Sequence, residues 1–96
     1  MMLFYAVHYP KPEYEDLLLD DMHEFGNLLR EQPGCIWVNP HPFKNPADDS
    51  LMAISIWESV EALQEAGSAV SAMRAPSPFD VWEYKDHETF LLSSAR

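Results

Sequence analysis

The sequence predicts an α+β fold in the order β-α-β-β-α-β, and three observations carry that prediction. Apolar runs rich in aromatic and β-branched residues occupy 3–9, 35–39, 51–57 and 79–90. Two stretches of helical periodicity lie between them, and prolines punctuate nearly every junction. With 96 residues, 47% of them hydrophobic, the chain fits one domain, residues 1–96, with one modest core.

Leu3–Tyr9 (LFYAVHY) reads as the first strand, and Pro10 and Pro12 end it because they lack the amide donors a ladder needs. From Glu13 onward Tyr14, Leu17, Leu18, Met22, Phe25, Leu28 and Leu29 recur at helical spacing with acids opposite, and Pro12 suits the first helical position. This helix stops at Pro33 and Gly34. Gly26 inside it costs about 1 kcal/mol relative to alanine, which fits close approach of a strand or ligand and fits simple tolerance equally.

Cys35–Asn39 (CIWVN) is the second strand. Pro40, Pro42 and Pro46 follow in a polar connection to Ser50, and proline so near a strand marks it as an edge. Leu51–Trp57 (LMAISIW) is more continuously apolar and therefore more central. Ser59 offers an N-cap to a second helix whose apolar side is Val60, Leu63, Ala66, Gly67, Val70 and Met73, and Pro76 and Pro78 close it. Phe79 to about Phe90 is a last strand, with Val81 on one side and Trp82 and Tyr84 on the other. The expected architecture is ferredoxin-like: a four-stranded antiparallel sheet with two helices on one face.

Two helices cannot cover both sides of such a sheet. Yet Leu3, Tyr5, Val7 and Tyr9 on one side of strand one oppose Phe4 and Ala6 on the other, so both sides are apolar. Face-to-face packing of two copies is the simplest closed solution, and a homodimer is expected.

Six Lys and Arg against sixteen Asp and Glu give a net charge of −10. A field of that sign repels phosphate backbones and anionic lipid, so neither nucleic acid nor membrane is an expected partner. The excess gathers in Glu13, Glu15, Asp16, Asp20, Asp21, Glu24 and Glu31, read as a solvated helix face. Cys35 is the only cysteine, which rules out an intramolecular disulfide and reads as a small buried hydrophobe. Met1–Pro10 lacks the layout of a secretion signal and no apolar run reaches membrane-spanning length, so a cytoplasmic location is expected.

Pro33-Gly34-Cys35 after the first helix, and Trp57-Glu58-Ser59-Val60-Glu61-Ala62-Leu63 bridging strand three into the second, resemble the antibiotic biosynthesis monooxygenase family. The likeness extends over nearly the whole chain. These motifs are structural: Ser59 caps, Ala62 and Leu63 pack, and Trp57 is a core aromatic. The resemblance implies a dimeric α+β barrel with a ligand pocket between sheet and helices in each protomer. It includes cofactor-free oxygenases of aromatic polyketides or quinols, and haem-degrading enzymes. The haem-degrading branch uses an asparagine on strand one, a tryptophan within helix two and a histidine near its end. Here His8 stands at the first position, the second falls near Ala66, and neither tryptophan nor histidine occurs between Glu58 and Val81.

A cofactor-free oxygenase needs a base to deprotonate an activated aromatic alcohol, so that the anion can pass an electron to oxygen. His8 is the candidate catalytic residue, on the side of the strand expected to face the helices and with an ordinary pKa near working pH. Phe4, Phe25, Trp37 and Trp82 are candidate walls of a pocket for a small aromatic molecule. His23, His41 and His87 are expected at the surface. The four histidines lack local i, i+4 spacing, so no metal site is expected. No cofactor is expected either, since three glycines form no phosphate loop and no Gly-x-Ser-x-Gly elbow occurs. The expected function is a cofactor-independent monooxygenase acting on a small aromatic or quinol-type molecule. The alternative is a non-catalytic dimer of the same fold that binds a small hydrophobic molecule or serves assembly.

Overall fold

The structure is a computed structural model that describes residues 1–95. The chain runs β1 (Met2–Pro10), a 3₁₀ turn (Pro12–Tyr14), α1 (Glu15–Arg30), β2 (Cys35–Val38), β3 (Phe43–Lys44) and β4 (Leu51–Trp57). It continues through α2 (Val60–Met73), a single helical turn α3 (Phe79–Trp82) and β5 (Glu83–Ser93). The sheet is antiparallel in the order β2-β4-β1-β5, the ferredoxin-like arrangement, with both helices on one face. No helix among the described residues is long and apolar enough to cross a membrane.

The sheet has five strands rather than the four expected. β1 occupies one edge of β4, and the other edge is shared: β2 pairs with residues 55–57 and β3 with Leu51 and Met52. Pro40 and Pro42 cannot donate to the ladder, so the strand breaks between them. The Asn39 side chain bridges the gap. Its Oδ1 accepts from the Ile54 amide at 2.9 Å and its Nδ2 donates to the Met52 carbonyl at 3.3 Å, which satisfies buried backbone that proline leaves unpaired.

A second correction lies at the other end of the chain. Residues 79–82 form α3 instead of opening the last strand, because the Pro78 carbonyl accepts from Val81 and Trp82 at 3.0 and 3.1 Å. The strand begins at Glu83 and runs on to Ser93. Trp82 thereby packs against the cluster of Leu18, Met22 and Leu51.

Two apolar clusters hold the helices to the sheet. One comprises Leu29, Val38, Trp57, Ala66 and Val70; the other comprises Leu18, Met22 and Leu51. Trp57 is fully buried and its indole Nε1 donates to Ser55 Oγ at 2.8 Å. Ser59 Oγ accepts from the Ala62 amide at 3.1 Å and caps α2. Cys35 packs at the margin of the first cluster, where burial pushes its thiol pKa up and away from reactivity. Leu17 and Met73, read as core-facing, are exposed at the helix margins.

Among the described residues, no helix covers the far face of the sheet. Leu3, Tyr5 and Val7 lie opposite Ile56, Ile54 and Met52 on β4, and Leu3 and Tyr5 lie opposite Leu92 and Phe90 on β5. Tyr5 and Phe90 stack there with centroids 4.6 Å apart.

Gly34 sets how closely α2 can approach the end of α1. Its φ is +84°, and a Cβ added there would lie 2.5 Å from the Ala62 Cβ. Gly34→Ala therefore meets both backbone strain and a steric clash, and should lower stability by about 2–4 kcal/mol. Urea unfolding measures this, and an unchanged midpoint would contradict the close approach.

Candidate functional site

Between α1 and the sheet lies a cavity of about 210 Å³. Phe4 and Ala6 of β1, Met22, Phe25 and Leu29 of α1, and Val38 and Ala53 of the neighbouring strands make it largely apolar. Gly26 lines it as well: a Cβ there would sit 3.4 Å from Val38 Cγ1, so the glycine lets α1 approach β2 beside the cavity. Buried Asn39 and Ser55 reach the wall, but each is engaged with the protein, Asn39 with backbone and Ser55 with Trp57.

Pro40 and Pro42 also line the cavity, on a loop tied to α1 by a histidine pair. His23 Nδ1 lies 2.9 Å from the Leu19 carbonyl, which can only accept, so this nitrogen carries the proton. His23 Nε2 then accepts from His41 Nδ1 at 3.1 Å in the neutral pair. Asp21, counted with the solvated acids, instead turns inward to the Arg74 guanidinium and to Ser77 Oγ at 2.7 Å. Arg74 in turn lies over the Phe25 ring, 5.6 Å from its centroid.

At one end of the cavity four side chains converge: His8, Phe79, Glu83 and His87. His8 is 7% exposed and its Nδ1 stands 3.2 Å from Glu83 Oε2. The other oxygen, Oε1, accepts from the Tyr9 amide at 2.7 Å. His87 stacks on His8 with centroids 4.9 Å apart, and Phe79 sits about equally close to both rings, at 5.2 and 5.0 Å. A carboxylate only accepts, so in the neutral imidazole the proton resides on Nδ1 and Nε2 keeps its lone pair.

This convergence depends on irregular pairing. Val7 pairs with Glu88, Tyr9 with Lys85 and Pro10 with Glu83, so β5 carries extra residues at two successive shifts. In a regular strand the Cα atoms of Glu83 and His87 would stand roughly 13 Å apart, leaving their side chains no direct contact. Here His87 Nδ1 lies 3.6 Å from Glu83 Oε2. Neither residue is prominent in the sequence, because 79–90 read as an even strand and His87 as a surface residue. The signal that could have found them is composition: Glu-Tyr-Lys-Asp-His-Glu at 83–88 is charged and poor in strand formers.

Of the residues expected at the site, His8, Phe4 and Phe25 share the cavity, whereas Trp37 and Trp82 do not line it. Trp82 belongs to the Leu18 cluster, as described above. Trp37 is displaced by a bulge in β2. Cys35 pairs with Trp57 but Trp37 pairs with Ile56, and this one-residue slip turns Trp37, 42% exposed, to the open sheet face while Val38 takes the inward position.

Burial lowers the His8 pKa below its ordinary 6.5, with the stacked His87 adding in the same direction and the Glu83 hydrogen bond and charge opposing in part. The neutral imidazole is thus the form that the fold favours. Because the unfolded chain binds this proton more readily, stability is fully present above the ordinary value and is lost as pH falls through it. Denaturation midpoints should fall between about pH 7 and about pH 5, and less steeply in His8→Gln. An equal slope in both proteins would contradict the assignment.

No curated protein matches the sequence. Among solved structures, Rv0793 from Mycobacterium tuberculosis has a TM-score of 0.81 at 14% identity, covering 99% of this chain and 95% of that one. A protein described as a possible antibiotic biosynthesis monooxygenase from Nitrosomonas europaea has a TM-score of 0.79 at 7% identity, with both chains fully covered. A variant of SnoaB, a cofactor-independent oxygenase from Streptomyces nogalater, has a TM-score of 0.65 at 15% identity, covering 99% of this chain and 93% of that one. These likenesses establish the fold. The family model described as antibiotic biosynthesis monooxygenase matches residues 1–70, from β1 through most of α2 and including His8, and the chain belongs to that family.

Proposed function

We propose that this protein is a cofactor-independent monooxygenase acting on a small aromatic or quinol-type molecule, with His8 as its base. One observation carries the reading: a buried histidine, oriented by a buried carboxylate, stands at the end of an apolar cavity. Family membership and the likeness to an oxygenase described as cofactor-independent support it. An apolar cavity of about 150 Å³ admits benzene, so 210 Å³ suits a single substituted ring, with any larger portion extending outward.

In the proposed reaction His8 Nε2 takes the proton of a ring hydroxyl, and the electron-rich anion passes one electron to dioxygen. Recombination forms a carbon–oxygen bond as a peroxide. The His8 imidazolium returns its proton to the peroxide. The C–H bond on the same carbon then breaks and its electron pair forms a carbonyl, and the O–O bond breaks so that the outer oxygen leaves with the second proton as water. The substrate supplies every electron, so no reductant is needed. Phe4 and Phe25 contribute ring-facing walls, and Glu83 acts as a positioning residue that holds the proton on Nδ1. Asn39 and Ser55 are already engaged, which leaves few groups to grip a polar substrate and favours an apolar one.

The same reading includes a cytoplasmic homodimer joined through the open sheet face. Trp37, Phe90 and Leu92 remain exposed there at 42, 39 and 56% beside Tyr5 and Ile54, more apolar surface than scattered exposure accounts for.

Oxygen uptake against a panel of hydroquinones and anthrones tests the chemistry. His8→Ala should lower the rate by about 10²–10⁴-fold; equal rates would remove His8 from the mechanism. Tight binding of an aromatic molecule with no turnover by the native protein would favour the non-catalytic binding module. Light scattering should give twice the chain mass for the native protein and a monomer for Tyr5→Glu. A native monomer at micromolar concentration would overturn the dimer.

A further inference from the structure

We propose that His8, Glu83 and His87 together bind one divalent transition-metal ion, and that its occupancy withdraws His8 from service as a base. Their nitrogen and oxygen donor atoms all lie within 4.8 Å of one another. Both imidazole Nδ1 atoms approach the same carboxylate oxygen, His8 at 3.2 Å and His87 at 3.6 Å. Bonds of 2.0–2.2 Å at a tetrahedral angle separate neighbouring ligand atoms by about 3.3–3.6 Å. The site therefore already has nearly the required spacing along two edges.

The surroundings fit a metal as well as the distances do. Glu83 is fixed through its second oxygen by the Tyr9 amide, the kind of outer hydrogen bond that orients a ligating carboxylate. Its side chain is 2% exposed, so a cation there meets a nearly desolvated negative charge. The His87 side chain is 37% exposed and has room to tilt as its nitrogen closes on an ion. Two neutral imidazoles and one carboxylate suit Zn²⁺, Co²⁺ and their neighbours, and three protein ligands leave a fourth position for water. A net charge of −10 favours cations over the whole surface.

Chemistry then links metal to base. Glu83 holds the His8 proton on Nδ1 and leaves the Nε2 lone pair for substrate. A metal needs the Nδ1 lone pair, so the proton must move to Nε2, which becomes a donor. The two roles require opposite tautomers and exclude one another. This inhibitory consequence rests on the proposed oxygenase chemistry, whereas metal binding does not.

Titration of the metal-free protein with Co²⁺, followed by its visible absorption, and with Zn²⁺ by calorimetry, tests the site. One ion per chain should bind at micromolar or tighter affinity. His87→Ala and Glu83→Gln should each weaken binding by at least about tenfold, while His41→Ala, which breaks the other histidine pair, should leave it unchanged. Oxygen uptake by the native protein should fall in step with occupancy. Absence of binding, undiminished binding in both His87→Ala and Glu83→Gln, or loss of binding in His41→Ala would overturn the site. Full uptake at full occupancy would overturn the tautomer switch and leave the oxygenase reading standing; absence of uptake with binding intact would sink that reading and leave the metal site standing.

Discussion

The constraint on which the rest depends is the burial of the Glu83 carboxylate. Taking such a charge out of water costs several kcal/mol unless its oxygens are met by donors. Here each oxygen has one: the Tyr9 amide on Oε1 and His8 Nδ1 on Oε2. The arrangement reaches beyond the pair. For Glu83 to arrive under His8, α3 must turn the chain before β5, and β5 must carry its extra residues opposite Val7–Pro10. The Lys11 amide, donating to the Trp82 carbonyl at 2.8 Å, anchors that turn to the end of β1. The two hydrogen bonds of one buried carboxylate thus tie together the irregular β1–β5 junction, the orientation of the histidine and its stacking with His87.

The sheet divides two tasks between its faces. The helix-bearing face holds the core clusters and the cavity, whose wall is mostly apolar, with His8, His87 and Thr89 among the polar side chains beside the empty space. The open face is also apolar, and the β2 bulge adds Trp37 to it. One dislocation in an edge strand therefore serves both faces at once, moving Val38 inward to close the core and Trp37 outward to the proposed contact between copies.

Much of this was legible in the sequence wherever a local rule decided the outcome. Period-two and helical patterning placed β1, β4 and both long helices, Ser59 announced its cap, and Gly34 marked the end of α1. His8 followed from alternation along β1, as did Phe4. What could not be read required knowledge of a neighbour. β3 exists because Asn39 spans the proline break and holds the edge of β4 in register. The inward turn of Asp21 exists because Arg74, far along the chain, is there to meet it. Trp37 went astray because a bulge reverses alternation without a local signal, and Glu83 and His87 were missed because bulges bring together residues that an even strand keeps apart.

The claim underlying both the proposed base and its proposed withdrawal by a metal ion is that Glu83 holds the His8 proton on Nδ1. Long-range ¹H–¹⁵N correlation spectra of the imidazoles, with His8 assigned through His8→Gln, report that tautomer directly. The account predicts a neutral His8 ring at neutral pH, protonated on Nδ1 in the native protein and shifted toward the other tautomer in Glu83→Gln. An imidazolium, or a ring already protonated on Nε2 in the native protein, would contradict it.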